Sequence, residues 1–243
     1  MAWNGDGMSS KGENKKAKAI SMPRTVHLSR KENFWTVRTK AGPFNKETSV
    51  ALGIVIRDFA KVAKTMKEVK HLLSKSEVKV NGVVRTDHQF PIGLFDVIAV
   101  TKQKLFFRVV LDDKQRLIIK SMDAESKEKI SKVTNKVMTT KGIQLTTNDG
   151  RTYYGVKANV GDSLKIKLPE GKVESVLEFK DGMIAYLTKG ANCSKVATIK
   201  EIVPATQRRD KLVKLAEGKE EFETTAVNVV VVGKAKAEIE GLN

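Results

Sequence analysis

The sequence predicts an α+β fold that is rich in β-strands and divided into several modules. Two observations support this: residues 49–100 contain two helical patterns and a hairpin signal, and the residues after them read as short β segments separated by Gly and Asp turns. A chain of 243 residues is long enough for several small domains. We therefore predict four segments: a basic N-terminal arm (1–48), a helix–hairpin module (49–100), a central all-β domain (101–175) and a C-terminal β domain with a closing strand (176–243).

The arm combines a polar tail with an irregular basic stretch. Residues 1–22 carry too little apolar surface to fold alone, so they are either a floppy tail or a basic arm that orders on RNA. Residues 23–48 interleave cations with aromatic rings, which suits a segment lying on RNA. We expect Phe34 and Trp35 to be buried anchors rather than stacking platforms. The candidates for phosphate contact in this stretch are its cations: Arg24, Arg30, Lys31, Arg38 and Lys40.

The helix–hairpin module begins with apolar residues at helical spacing over residues 50–63. Arg57 in this pattern could contact phosphate or pair with the neighbouring Asp58. A second helix follows, because Thr65 and Glu68 have the spacing of a capping box, in which each side chain satisfies a free backbone donor at the helix start.

The second helix is predicted to be amphipathic and to lead into a tight hairpin. Val69, Leu72 and Leu73 give it one narrow apolar face. Asn81-Gly82 is a strong signal for a two-residue hairpin turn, because both turn residues need positive φ. A turn and a closing strand follow in residues 90–100. The outer edge of the corner formed by this helix and hairpin supplies the remaining candidates for RNA contact in the module: Lys64, Lys67, Lys70, His71, Lys75, Lys79 and Arg85. For His71, a solvated surface histidine is an equal interpretation.

The remaining residues alternate β patterns with Gly, Asn and Asp turns, which is typical of all-β modules. Residues 123–132 are predicted as a short helix, and residues 211–217 are left open, with a helix as one alternative. The predicted strands are 105–111, 116–120, 136–140, 143–147, 152–156, 164–168, 176–179, 183–187, 197–202 and 227–232.

Composition narrows the class of protein. The net charge of +17 indicates a polyanionic partner, either nucleic acid or an anionic membrane, unless it serves solubility alone. The single cysteine, Cys193, cannot form an intramolecular disulfide, which fits a reducing cytoplasm. His27, His71 and His88 lie far apart in sequence, so we expect no metal site. No apolar run approaches the roughly 18 residues of a membrane helix, and the polar residues 1–19 do not read as a signal peptide.

Motifs for catalysis are missing from the sequence. It contains neither a phosphate-binding Gly-x-x-x-x-Gly-Lys nor a Gly-x-Gly-x-x-Gly that follows a strand. Asp112 and Asp113 form a carboxylate pair, but they lie at a predicted hairpin tip, where such residues serve the turn. Cys193 has no histidine near it in sequence. We therefore expect no enzyme activity and no cofactor.

Several motifs resemble known families. Residues 52–100, with the Lys-rich second helix and the hairpin Val78-Lys79-Val80-Asn81-Gly82, resemble the alpha-L RNA-binding domain of ribosomal proteins, pseudouridine synthases and some tRNA synthetases. The motifs around them resemble S-four-e, an archaeal and eukaryotic family of small-subunit ribosomal proteins. These motifs are His27-Leu28-Ser29-Arg30 with Phe34-Trp35, Asp149-Gly150-Arg151 with residues 161–169, Phe179-Lys180-Asp181-Gly182 continuing to residue 201, and residues 228–233.

The resemblance implies what the last segment is and which of its residues bind. Residues 176–243 would form an SH3-like KOW barrel with the closing strand. A loop of this barrel would contact RNA through Lys189, Asn192 and Lys195. This chain has Ser194 and Ala197 where the family's loop has glycines, which changes the backbone freedom of that loop.

The resemblance also implies a function. The chain would be a structural constituent of the small ribosomal subunit, in the cytoplasm, that binds ribosomal RNA and stabilises its assembled fold. Its partners would be that RNA and neighbouring ribosomal proteins, with no membrane, small-molecule substrate or homo-oligomer. The lack of a longer C-terminal extension favours an archaeal-type member. Two alternatives stay open: an RNA-modifying enzyme that uses the same RNA-binding module, and a translation or transcription factor whose barrel binds a protein.

Overall fold

The structure is a computed structural model that describes residues 16–140, 142–218, 220–234 and 237–239. The part of the predicted arm that covers residues 1–15 lies outside the described residues. The described residues form three five-stranded sheets, two two-stranded sheets and short helices. No helix in this part of the chain is long and apolar enough to cross a bilayer.

The described part of the arm is folded against the rest of the chain. Strands β1 (Lys16–Lys18) and β2 (Trp35–Val37) pair antiparallel. The Arg30 guanidinium donates to the carbonyl oxygens of Ile20 and Pro23, both at 3.1 Å, and so holds the loop between the two strands.

Phe34 and Trp35 are not buried anchors, and that prediction was wrong. Their exposed fractions are 64% and 54%, and their rings meet edge to face at 4.9 Å. The alternation of a strand explains this, because Thr36 points inward at 8% exposure and Trp35 therefore points to the other face.

Two short helical segments and a hairpin follow the arm. β3 (Val50–Ala51) leads into α1 (Leu52–Ile54), which continues as a π-helical turn (Val55–Phe59). This confirms the core of the first predicted helix, while Lys61, with φ of 53°, lies beyond its end. α2 (Met66–Ser74) has the predicted capping box at Thr65 and Glu68.

The predicted hairpin is confirmed and belongs to a larger sheet. β4 (Val78–Val80) and β5 (Val83–Val84) flank Asn81 and Gly82, whose φ angles are 52° and 76°. β6 (Pro91–Ile92) pairs with β3. The other strands complete the sheet in the order β5-β4-β7-β8-β9, where they are β7 (Val97–Val100), β8 (Leu105–Leu111) and β9 (Leu117–Met122).

The second large sheet has the order β12-β11-β10-β13-β14. The short helix predicted for residues 123–132 is wrong, because β10 starts at residue 128. Ile130 and Val133 of this strand are buried, and the strand pairs with one neighbour along each half of its length. Its strands are β10 (Glu128–Thr139), β11 (Gly142–Thr147), β12 (Thr152–Tyr154), β13 (Ser163–Lys167) and β14 (Lys172–Leu177).

The third large sheet has the order β18-β17-β16-β15-β19. Residues 211–217, which the sequence left open, contain a strand, because Val213 and Leu215 alternate as buried residues. Its strands are β15 (Ile184–Leu187), β16 (Val196–Val203), β17 (Leu212–Glu217), β18 (Glu220–Thr225) and β19 (Val229–Gly233).

The sheets cross two of the boundaries drawn from the sequence. β8 and β9 extend the sheet of the helix–hairpin module past residue 100, and β14 runs across residue 175. The large hydrophobic core also crosses these boundaries, because it joins the buried side of α2 with the valines of β19. The second sheet has a small core of its own around Val133, Leu145 and Leu164. The four segments remain a proposal about how the chain is organised.

Two side chains tie the third sheet to the other two. The Tyr186 hydroxyl on β15 accepts from the Leu111 amide at 3.1 Å and donates to its carbonyl at 3.4 Å. On β10, the Lys132 ammonium donates to the carbonyl oxygens of Ala226, Val227 and Val229 at 2.7, 3.0 and 2.7 Å. Burial lowers the pKa of Lys132 to about 8, so the ammonium form with its three donors predominates at neutral pH.

We expect the Lys132→Met variant to lose about 2–4 kcal/mol of unfolding free energy, because three carbonyl oxygens lose a charged donor. Urea unfolding at pH 7, followed by circular dichroism, measures this. Lys136→Met is the matched control, since Lys136 lies on the same strand and donates only to exposed Asn159. Equal losses in the two variants would contradict a special role for Lys132.

Candidate nucleic-acid interface

The basic face of α2 is the main group of predicted site residues that the structure brings together. The apolar side of the helix is buried, with Val69 and Leu73 at 0% exposure, so the cations point to solvent. The capping box fixes the start of the helix: the Thr65 hydroxyl accepts from the Glu68 amide at 3.3 Å, and the Glu68 carboxylate accepts from the Thr65 amide at 3.4 Å and also from the Lys64 amide at 2.8 Å. The exposed members of the row are Lys64, Lys67, Lys70, His71 and Lys75.

This row contains one carboxylate, exposed Glu68, whose pKa is lowered by the hydrogen bond from the Lys64 amide and, more weakly, by the Lys64 charge. None of the lysines 64, 67, 70 and 75 forms an ion pair with a carboxylate among the residues that the structure describes. Lys70 also influences a neighbouring histidine. Burial lowers the pKa of His88, and the charge of Lys70 lowers it further. Uncompensated cations on one exposed face are the arrangement that attracts a polyanion.

The hairpin places two further candidates beside the helix. Lys79 is half-buried on β4. Arg85 is also half-buried and follows β5, with its guanidinium carbon 4.4 Å from the centroid of the Phe90 ring. The Asn81 side chain fixes the hairpin, since it donates to Asp96 at 2.8 Å and accepts from the Val97 amide at 2.9 Å.

Other predicted candidates are occupied by contacts within the chain. Lys40 pairs with Asp87 at 2.7 Å, and Lys195 pairs with Glu217 at 2.8 Å. Arg30 holds the arm through its two carbonyl contacts, and Arg38 is half-buried and also engaged. Arg57 pairs with Asp58 through two bonds, so the second of its two sequence interpretations is the one observed.

The last candidates lie apart from α2 in sequence and in different elements. Arg24 and Lys31 are exposed in the arm. Lys189 is exposed in the turn between β15 and β16, whereas Asn192 is half-buried there. Ser194, in the place of a family glycine, has a positive φ of 73°, so the loop keeps the backbone conformation that glycine favours.

Sequence reasoning missed a cluster of buried charged residues, which lies behind the hairpin. The Lys129 ammonium on β10 is 2.7 Å from the Asp96 carboxylate and 3.0 Å from the Asp149 carboxylate. All three side chains are 2% exposed or less. The sequence signal was weak: Asp96 lies inside the apolar run 90–100, whereas Lys129 ends the polar stretch 123–129, and the Asp149-Gly150 pair reads equally well as a turn.

The three charges are held by a full set of hydrogen bonds. Asp96 accepts from the Gly93 amide at 2.9 Å in addition to Asn81 and Lys129. Asp149 accepts from the hydroxyls of Ser131, at 3.1 Å, and Thr147. We call the three charged residues the Lys129 cluster.

The pKa values in the cluster reflect these contacts. Burial alone would raise the pKa of Asp149, but the Lys129 charge, the Thr147 hydroxyl and the other contacts together lower it. Burial likewise opposes the charge of Lys129, while the two carboxylates outweigh it and raise its pKa. Both groups are therefore ionised at neutral pH, and their role is to join strands of two sheets.

The described residues contain no group of three or more histidine, cysteine or acidic side chains that could hold a metal ion. The interactions available here are electrostatic. Exposed cations lie on α2, the hairpin follows it, and the buried Lys129 cluster has one ammonium between two carboxylates.

Comparisons with known proteins identify relatives over most of the chain. A family model described as ribosomal family S4e matches residues 103–173. The small ribosomal subunit protein eS4 of Archaeoglobus fulgidus is 35% identical over 89% of this chain and 92% of its own length. That of Methanosphaera stadtmanae is 34% identical over 94% of this chain and 96% of its own length. The crystal structure of the 30S ribosomal protein S4e from Thermoplasma acidophilum matches with a TM-score of 0.65 and 30% identity, over 77% of this chain and 96% of that one.

We expect the Lys129 cluster to make the fold sensitive to acid. Above the ordinary pKa of 3.8, the Asp149 carboxylate stabilises the fold, and this contribution is lost as the pH falls through its lower pKa in the folded chain. Asp149→Asn should therefore cost about 3 kcal/mol at pH 7, and the difference from the unaltered chain should shrink below pH 3.

Urea unfolding at pH 7 and at several pH values below 4 measures how the stability cost of Asp149→Asn depends on pH. Asp181→Asn, in an exposed turn, is the control and should change stability by no more than about 0.5 kcal/mol at pH 7. A cost for Asp149→Asn that stays constant with pH would refute the assignment.

Proposed function

This chain belongs to the ribosomal S4e family, and on that premise we propose that it is a structural constituent of the small ribosomal subunit that binds ribosomal RNA and stabilises its assembled fold. The names of its relatives support a role in the small subunit as a component rather than an enzyme. Its location would then be the ribosome in the cytoplasm, beside neighbouring ribosomal proteins.

The observation that carries the RNA-binding part of the proposal is the exposed row of cations on α2. The lysines at 64, 67, 70 and 75 have no carboxylate partner among the described residues, whereas Lys40 and Lys195 do. A lysine already paired within the chain has less to gain from a phosphate than a free one. We therefore assign the main phosphate contacts to the α2 row, with Lys79 and Arg85 at the hairpin.

Physical chemistry favours a structured RNA as the partner of this row. Each phosphate that a cation neutralises releases counterions, so several contacts give strong but salt-dependent binding. The major groove of an A-form helix is too narrow for side chains to read bases, so a rigid corner would recognise the shape of the backbone. The buried side of α2 provides that rigidity.

We further propose the identities of the modules. The segment 49–100 would be an alpha-L RNA-binding domain, 101–175 the central ribosomal domain and 176–243 a KOW domain with an SH3-like barrel. The exposed cations Arg24, Lys31 and Lys189 would provide additional phosphate contacts outside α2. Lys195, Lys40 and Arg30 would contribute less, because each is engaged within the chain.

We expect replacement of Lys67, Lys70 and Lys75 by Met to weaken binding to transcribed small-subunit ribosomal RNA. The loss of three phosphate contacts should reduce the slope of log affinity against log salt by about 2–3. Filter binding at several salt concentrations measures the slope, and reconstitution measures incorporation into the subunit.

The matched control replaces three lysines that are paired at the surface, so the loss of net charge is the same. These are Lys172, Lys200 and Lys214, paired with Glu170, Glu221 and Glu201. The control should keep most of the affinity. If both triple variants bind alike, net charge and not the α2 row determines binding, and the assignment of the contact face fails.

A further inference from the structure

A cavity of about 280 Å³ lies where the hairpin meets the central sheet. Its polar base is the Lys129 cluster, whose members are almost fully buried. The rings of Phe44 and Phe90 line it, and the half-buried side chains of Arg85 and Arg151 stand toward solvent. The cavity therefore has a charged base, aromatic lining and a cationic entrance.

The base of the cavity has little capacity left to bind. Both oxygens of each carboxylate accept hydrogen bonds, from Asn81, Gly93 and Lys129 at Asp96 and from Lys129 and two hydroxyls at Asp149. The Lys129 ammonium donates to both carboxylates and lies 5.2 Å from the centroid of the Phe44 ring. A cation entering the cavity would find no free carboxylate oxygen.

The two arginines at the entrance, in contrast, have hydrogen-bond donors that are not used within the described part of the chain. The Arg85 Nε is buried and has no hydrogen-bond partner among the described residues. Its guanidinium is held against Phe90, so its fork is oriented before any ligand arrives. The Arg151 Nε is 3.9 Å from Asp149, and the guanidinium also interacts with the Tyr153 hydroxyl, so a ligand would use its remaining donors. Two guanidinium groups at one entrance are suited to a phosphate, which each can bind through two parallel bonds.

We propose that this cavity, the hairpin pocket, binds one unpaired nucleotide of the ribosomal RNA, with its phosphate on Arg85 and Arg151 and its base beside the half-buried ring of Phe90. The inference rests on the proposed function and deepens it. Extruded bases are commonly held by aromatic rings and guanidinium planes in proteins that recognise RNA. The volume exceeds what a phosphate alone needs, and it lies just below the roughly 300–1,000 Å³ typical of small-molecule pockets, so a duplex cannot enter.

The position of the pocket supports this assignment. Arg85 follows the hairpin that comes directly after α2 in the chain, and the charge of Lys70 on α2 reaches His88, three residues beyond Arg85. The row would bind the backbone without regard to sequence, whereas the pocket would fix one nucleotide and thus the register of the RNA.

The first test uses the full-length chain and small probes. Adenosine and uridine 5′-monophosphate, the two nucleosides and inorganic phosphate are each titrated while the Arg85 Nε–Hε signal is followed by NMR. We expect the nucleotides to bind about tenfold more tightly than phosphate, because the base adds stacking, and the nucleosides to bind more weakly than the nucleotides. Equal affinity for phosphate and nucleotide would overturn the base-binding part, and no shift with any probe would overturn the site.

Variants then assign the binding to the entrance. Arg85→Met with Arg151→Met should abolish nucleotide binding, and Arg85→Lys with Arg151→Lys, which keeps the charge but loses the fork, should reduce it. Lys200→Met with Lys214→Met is the control and should leave it unchanged, because these paired surface lysines do not line the cavity. Nucleotide binding that survives in a folded R85K/R151K chain at full strength would overturn the role of the two arginines.

The last measurement separates this inference from the proposed function. Ribosomal RNA containing 4-thiouridine is cross-linked to the chain, and the attached peptides are identified. We expect a cross-link on the peptide that contains Phe90. It should be lost in the R85M/R151M chain and kept at a lower level in the R85K/R151K chain. Normal rRNA affinity without that cross-link would overturn the pocket and leave the function intact. Loss of specific rRNA binding in the unaltered chain would instead overturn the function.

Discussion

The arrangement of the modules depends on one buried interaction, the Lys129 ammonium between the carboxylates of Asp96 and Asp149. Asp96 precedes β7 in the first large sheet, while the other two residues belong to the second. Burying three charges is costly unless each is paired and hydrogen-bonded, so few relative positions of the two sheets are tolerated. The cluster thereby sets the angle at which the hairpin and α2 stand on the rest of the chain.

The charged residues of this protein divide into those that build the fold and those that remain free. Lys129 and Lys132 form hydrogen bonds between sheets, and Arg30 holds the arm through hydrogen bonds to its backbone. Several free cations lie along α2, where the buried apolar side fixes the helix, and others, such as Arg24, Lys31 and Lys189, are exposed elsewhere. The 45 lysines and arginines therefore overstate the number of free cations at the surface, because many already have an acid or a carbonyl as partner.

Local signals were predictable and long-range pairings were not. The capping box at Thr65 and the Asn81-Gly82 turn follow from a few adjacent residues, and both were predicted. The sequence predicted a helix for the first half of the strand Glu128–Thr139, because the partner of that half, β13, is more than thirty residues away in sequence. The same limit applies to the site: sequence identifies Lys195 as a cation but cannot show that Glu217 faces it.

The third sheet has a consequence for the order in which the chain can fold during synthesis. β19 is the last strand of the described chain, yet it closes the open side of β15, with Leu187 opposite Val229. The same late segment supplies all three acceptors for Lys132. Until it emerges, β15 presents an unpaired edge of the kind that promotes association with other chains. A prematurely terminated product would thus expose the unpaired edge of β15 and leave the Lys132 ammonium without its three acceptors. These two features distinguish it from the finished protein.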